Sequence, residues 1–261
     1  MDTQQPEWGR LKVLGREHAT YGAIASTRVG SIAAAAVSVG SEEDSPSNQF
    51  KYDPNVRNED AGCLISTETW SGLAVADAHF GPESSHLLIE RLHKIWGNIT
   101  PTDLDHLGQM IEFLRQGDPA TTESETTFLT AVYDRQTKTG FGISFGDSTF
   151  AIAGPGRSAR PINELDDRFV NTIELRSLRH GSAFEFSAEP GQLLLAFTDG
   201  IDGCHYRNPE TSVQTHDIDR IAAEAHYDPL ATVTNLTQLA LDGVRGFPGG
   251  QDNIVALAVE A

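Results

Sequence analysis

The chain has 261 residues and is 39% apolar, within reach of one large domain. Nineteen Lys and Arg stand against 37 Asp and Glu, a net charge of −18, which argues against nucleic acid as a partner and suits cations or basic peptides, though much of such charge simply keeps a protein soluble. Met1–Glu7 carries no signal-peptide core, no run approaches the ~18 apolar residues of a membrane span, and Cys63 and Cys204 lack zinc-site spacing, so a cytoplasmic protein with two reduced cysteines and no membrane attachment is expected.

Residues 1–30 are weakly patterned and read as an N-terminal extension or edge element. Ser31–Val39 is small and compatible with a strand, and residues 40–55 are polar and read as a loop. Ala61–Ser66 and Gly72–Ala76 are short apolar runs around a polar turn, the pattern of a hairpin. Gly81-Pro82 opens a helix with Leu88, Leu92 and Ile95 on one face. A second helix follows Pro101, where Leu104, Leu107, Met110, Ile111 and Leu114 recur at helical spacing. Strands are expected at 127–133, 140–145, 149–153 and 193–197. Asp228-Pro229 caps an amphipathic helix, and Ile254–Val259 is a closing strand. Strands and helices in this order predict α+β layers rather than βαβ alternation.

Aspartates stand where these strands end. Asp60 precedes one strand of the predicted hairpin and Asp77 follows the other, so both fall on one rim. Asp199 and Asp252 form a second pair if their strands run antiparallel, and Asp147 can join them. Crowded carboxylates repel unless protons or cations intervene, and hard divalent ions favour all-oxygen sites. The plain alternative is that they are ordinary turn aspartates.

Five short motifs occur in order: Asn58-Glu59-Asp60-Ala61, Val75-Ala76-Asp77-Ala78-His79-Phe80-Gly81, Gly146-Asp147-Ser148, Phe197-Thr198-Asp199-Gly200-Ile201-Asp202 and Gln251-Asp252-Asn253-Ile254. Together they resemble the metal-dependent protein phosphatase (PPM) family, the type 2C serine/threonine phosphatases, from about residue 31 to the end. The resemblance implies a four-layer α-β-β-α sandwich of two antiparallel sheets flanked by helices over residues 31–261. It implies hydrolysis of phosphoserine and phosphothreonine in phosphorylated protein substrates, with a bridging hydroxide at a centre of two Mg²⁺ or Mn²⁺ ions. Asp77 would bridge the metals and the Ala78 carbonyl would bind one. Asp199 and Asp252 would hold the other, with Glu59 and Asp60 acting largely through water. Asp147 would serve a third, weaker site, and His79 would protonate the leaving alkoxide. Arg57, directly before Asn58, is the candidate phosphate anchor. A monomer active in signalling is expected.

The chain departs from the family pattern in several places: Phe80 stands where the family has a glycine, Arg57 directly precedes Asn58 where many bacterial members have a basic residue further ahead, and the loop over 40–55 is longer than the family's. Ala78 stands where the family has a glycine, and it can offer its carbonyl only if its φ is negative. Thr149 stands where an arginine is usual. Two rival readings remain: a catalytically inactive binding module of the same fold, and a phosphatase of small phosphorylated metabolites. His86, His93, His106, His180, His205, His216 and His226 show no ligand spacing and read as surface or packing residues.

Overall fold

The computed structural model describes residues 8–41, 45–50, 56–115, 124–171 and 181–261. Met1–Glu7, parts of the expected loop over 40–55, and His180 lie outside the described residues.

Fourteen described strands form three sheets. They are β1 Gly9–Leu14, β2 Ala25–Val29, β3 Ala33–Ser38, β4 Ala61–Ser66, β5 Trp70–Ala76, β6 Ala78–His79 and β7 Glu125–Thr126, followed by β8 Phe128–Asp134, β9 Thr139–Phe145, β10 Thr149–Ala153, β11 Val170–Asn171, β12 Ser182–Ser187, β13 Leu193–Phe197 and β14 Ile254–Glu260. Four described helices accompany them: α1 Glu83–Trp96, α2 Leu104–Arg115, α3 Thr215–Glu224 and α4 Pro229–Asp242. One sheet runs β1-β4-β5-β8-β9-β12, the second runs β10-β13-β14-β3-β2, and a small third runs β11-β7-β6. The described pairings are antiparallel.

The central strands are buried on both faces, and this sets the layering. In β14, Val255, Leu257 and Val259 face the other sheet, while Ile254, Ala256 and Ala258 face α3 and α4. In β5, Leu73 and Val75 face inward between the sheets, while Ala74 and Ala76 pack with Leu88, Leu92 and Leu107 of α1 and α2. Three apolar cores therefore separate four layers, helices outside and sheets inside. Because both faces of these strands are covered, their sequences are continuous apolar runs without alternation.

The N-terminal residues take the second of the two expected forms, edge elements. β1 lies along β4 with Gly9 opposite Ser66, and β2 lies along β3 with Ala25 opposite Val37. Residues 9–29 thus supply an edge strand to each large sheet, and residue 30 falls in the turn between β2 and β3 rather than at the edge of the sandwich. The half-exposed alternation of β1 and β2 is what an edge position produces. Helix α3 and strand β12 were not anticipated. Asp228 caps α4 as its sequence predicts, accepting from the Ala231 amide at 2.8 Å.

Candidate metal centre

Strand register brings the carboxylates together. Ala61 lies opposite Ala76, so Asp60 and Asp77 leave the β4–β5 hairpin side by side. Thr149 lies opposite Phe197, which places Asp147, two residues before β10, beside Asp199, two residues past β13. β13 also pairs with β14, with Phe197 opposite Ala256, so Asp252 joins the same rim. Asp77, Asp147 and Asp199 each offer an oxygen, and the three oxygens lie within 4.8 Å of one another.

This crowding has an electrostatic consequence. Burial holds the Asp77 carboxyl well above the ordinary range, and the charges of Asp60, Asp252 and Asp147 add to it. Burial, with Asp252, Asp77 and Asp147, does the same to Asp199. Burial also raises Asp147, helped by Asp252 and Asp167 and opposed by Arg207. Oδ1 of Asp199 is buried with no hydrogen-bond partner. An orphaned carboxylate oxygen within a raised, all-oxygen cluster is the donor set a hard divalent cation needs, so the residues present fit such an ion.

Neutral groups fix the carboxylate-bearing segments. Thr198 Oγ1 donates to Asp60 Oδ2 at 2.7 Å and accepts from the Val255 amide at 3.0 Å, tying the β4–β5 hairpin to the β13–β14 pair. Asn253 accepts from the Glu59 amide at 2.9 Å and donates to the carbonyls of Val39 and Arg57, each at 3.0 Å. The Asp77 amide donates to Thr127 Oγ1 at 3.1 Å. Gly200 is required by proximity, since a Cβ there would stand 1.9 Å from the Asn253 carbonyl oxygen.

The other predicted site residues adjoin these carboxylates in sequence. Glu59 is fully buried, and its carbonyl accepts from Ser85. Ala78 is buried in β6 and is absent from the positive-φ residues, so the condition on its carbonyl holds. The left-handed positions of that motif fall at Phe80, φ 61°, and Gly81, φ 119°. His79 pairs across the small sheet with Glu125, its Nδ1 lying 3.8 Å from Oε1, and its ring packs 5.2 Å from that of Phe169. The Arg57 guanidinium lies over the Tyr21 ring at 5.2 Å. Sequence reasoning assigned no part to Thr127, Thr198 or Asn253. Their hydroxyls and amide act across strands, and only Thr198 and Asn253 gave a signal, by standing beside Asp199 and Asp252.

No family model matches the chain. It is 30% identical over 106 residues to a probable protein phosphatase 2C 55 of Arabidopsis thaliana, a match covering 38% of this chain and 21% of that protein. The chain thus spans about a fifth of the length of the curated relative it matches. Among solved structures it resembles the serine/threonine phosphatase PstP/Ppp of Mycobacterium tuberculosis, at 17% identity and a TM-score of 0.63, covering 91% of this chain and 98% of that one. The catalytic domain of PstP solved with two manganese ions gives 16% identity and a TM-score of 0.62, covering 91% and 99%. The phosphatase of S. agalactiae gives 14% identity and a TM-score of 0.64, covering 92% and 100%. The fold is that of the type 2C serine/threonine phosphatases, as the ordered motifs imply.

Proposed function

We propose that this chain is a metal-dependent protein serine/threonine phosphatase. The observation that carries the reading is the convergence of Asp77, Asp147 and Asp199 within 4.8 Å on a fold shared with such phosphatases. Asp77, Asp199 and Asp252 would hold two Mg²⁺ or Mn²⁺ ions with the Ala78 carbonyl. Asp60 and Glu59 would act through water, and Asp147 would serve a third ion. When bound, such cations supply Lewis acidity and neutralise charge on a phosphoryl group.

The chain's own residues do the rest. His79 donates a proton to the departing serine or threonine oxygen. Glu125 lies 3.8 Å from Nδ1 and helps orient the ring, which leaves Nε2 to act as the acid. Arg57 grips the phosphoryl oxygens as a planar fork, and its stacking on Tyr21 limits the orientations it must give up.

The test is hydrolysis of a phosphothreonine peptide with Mn²⁺ or Mg²⁺ and with excess chelator. Turnover is expected only with metal. Full turnover in chelator sinks the metal-dependent reading, and turnover restricted to small phosphate esters transfers the function to metabolites.

A further inference from the structure

A cavity of about 320 Å³ has Asp147 and Asp199 in its lining and therefore opens onto the candidate metal centre. The proposed phosphatase chemistry gives the rest of this cavity no task. Its wall is apolar over Ala159, Pro161, Val213 and Ile218, contributed by the β10–β11 connection and by α3 with the segment before it. Set into that wall is Asp202. Its Oδ2 accepts a hydrogen bond from Thr149 Oγ1 at 2.8 Å. Among the described residues no cation is found acting on this carboxyl. Arg207 lines the same cavity, and its charge acts on Asp147. Asp202 is thus a half-buried carboxylate beside an apolar surface, with a neutral hydroxyl for company. Burial raises it to about 7, with Asp147 contributing.

A long side chain with a cationic head complements both parts of such a cavity. Its methylene stem covers apolar wall while the head forms a charge-assisted hydrogen bond with the carboxylate. We propose that the cavity is a substrate subsite for an arginine or lysine side chain close in sequence to the phosphorylated residue, with Asp202 as its specificity determinant. The proposal rests on the phosphatase reading. It deepens that reading by naming the class of substrate, basic phosphorylated segments. It also gives the acidic surface of the chain a use, since a net charge of −18 favours approach of a basic segment.

The experiment uses one phosphothreonine in a neutral peptide, with a single arginine moved through the flanking positions. Wild-type chain is assayed with saturating Mn²⁺. One arginine position should improve kcat/KM by about tenfold over the neutral peptide, the factor that ~1.4 kcal/mol carries. In Asp202→Asn, which keeps the shape and the Thr149 contact, the ratio between that peptide and the neutral one should fall to about one. A wild-type chain with no positional preference overturns the proposal, whatever the variant does. So does an Asp202→Asn variant that folds, by its melting curve, and keeps the preference. Loss of a bound Mn²⁺ in the variant by calorimetry, with equal losses on all peptides, also overturns it by assigning Asp202 to a cation. Hydrolysis of no phosphopeptide at all is the different result that removes the phosphatase reading itself.

Discussion

The two ends of the sandwich treat buried charge in opposite ways. At one end β4, β5 and β14 begin or finish at Asp60, Asp77 and Asp252, and the carboxylates there face one another. At the other end the same strands meet Arg135. Its Nε donates to the Thr67 carbonyl at 3.2 Å and its Nη1 to the Glu260 carbonyl at 3.0 Å. Its Nη2 donates to the hydroxyls of Ser66 and Ser71 at 3.0 and 2.7 Å, and its plane lies over Trp8 at 5.2 Å. One cation with neutral acceptors on every side closes the sandwich. Several anions with too few donors leave the opposite rim costly until a ligand arrives. Under the proposed phosphatase reading, the difference separates a charge kept for architecture from charges kept for chemistry.

Substitution at the acidic end should show the largest effect. Asp199→Asn should abolish phosphatase turnover and weaken Mn²⁺ binding in calorimetry, while raising the melting temperature of the metal-free protein by removing a repelled charge. A variant that is as active as wild type, or less stable without metal, breaks the contrast between the ends. The same repulsion sets a pH trend. Asp77, Asp199 and Asp202 are all raised in the folded state, Asp202 to about 7. The folded chain therefore binds more protons than the unfolded one, and stability falls as pH rises. Metal-free melting temperature should drop from about pH 4, the ordinary Asp range, to about pH 7, and saturating Mn²⁺ should flatten the slope. A metal-free profile that rises over this window contradicts the repulsion account.

His79→Gln is the next step down. It should lower kcat on a phosphothreonine peptide by about 10²–10⁴-fold, the usual worth of a general acid. An aryl phosphate, whose leaving group needs no proton, should lose far less. Equal losses on both would make His79 structural. Arg57→Ala should raise KM by about tenfold or more, as expected for hydrogen bonds to a charged group worth ~1.5–3 kcal/mol. Metal affinity should hold, and an unchanged KM rejects the anchor. At the far end, Arg135→Ala should cost about 2–4 kcal/mol in urea unfolding through the stranded acceptors of Ser66, Ser71 and Glu260. It should leave kcat intact below the melting point. A loss of turnover without loss of stability there would erase the distinction between the ends.

Much of the acidic end was legible because strand ends are punctuated in sequence. The hairpin of β4 and β5 placed Asp60 beside Asp77, and the apolar runs of β13 and β14 placed Asp199 near Asp252. What escaped the sequence was held by edges and by long-range contacts. β1 and β2 are half-covered, so their patterns are diluted by exposed residues such as Arg10 and Thr27. α3 begins at Gln214, whose capping box with Asp217 is not the usual Ser or Thr signal. The service of Thr198 to both strand pairs depends on residues far away in sequence, and no local spacing announces it.

β14 has a further consequence for how the protein comes to exist. It is the last described strand in the chain, yet it lies in the middle of its sheet, between β13 and β3, with Ile254 opposite Ser38. That sheet stays split in two until β14 inserts, and the pairing joins residues as far apart in sequence as Ser38 and Ile254. Such non-local closure makes assembly slow. The strand that completes the sheet follows directly after Asp252, so a chain cut before that residue would lack a carboxylate of the candidate metal centre and the middle of its sheet together.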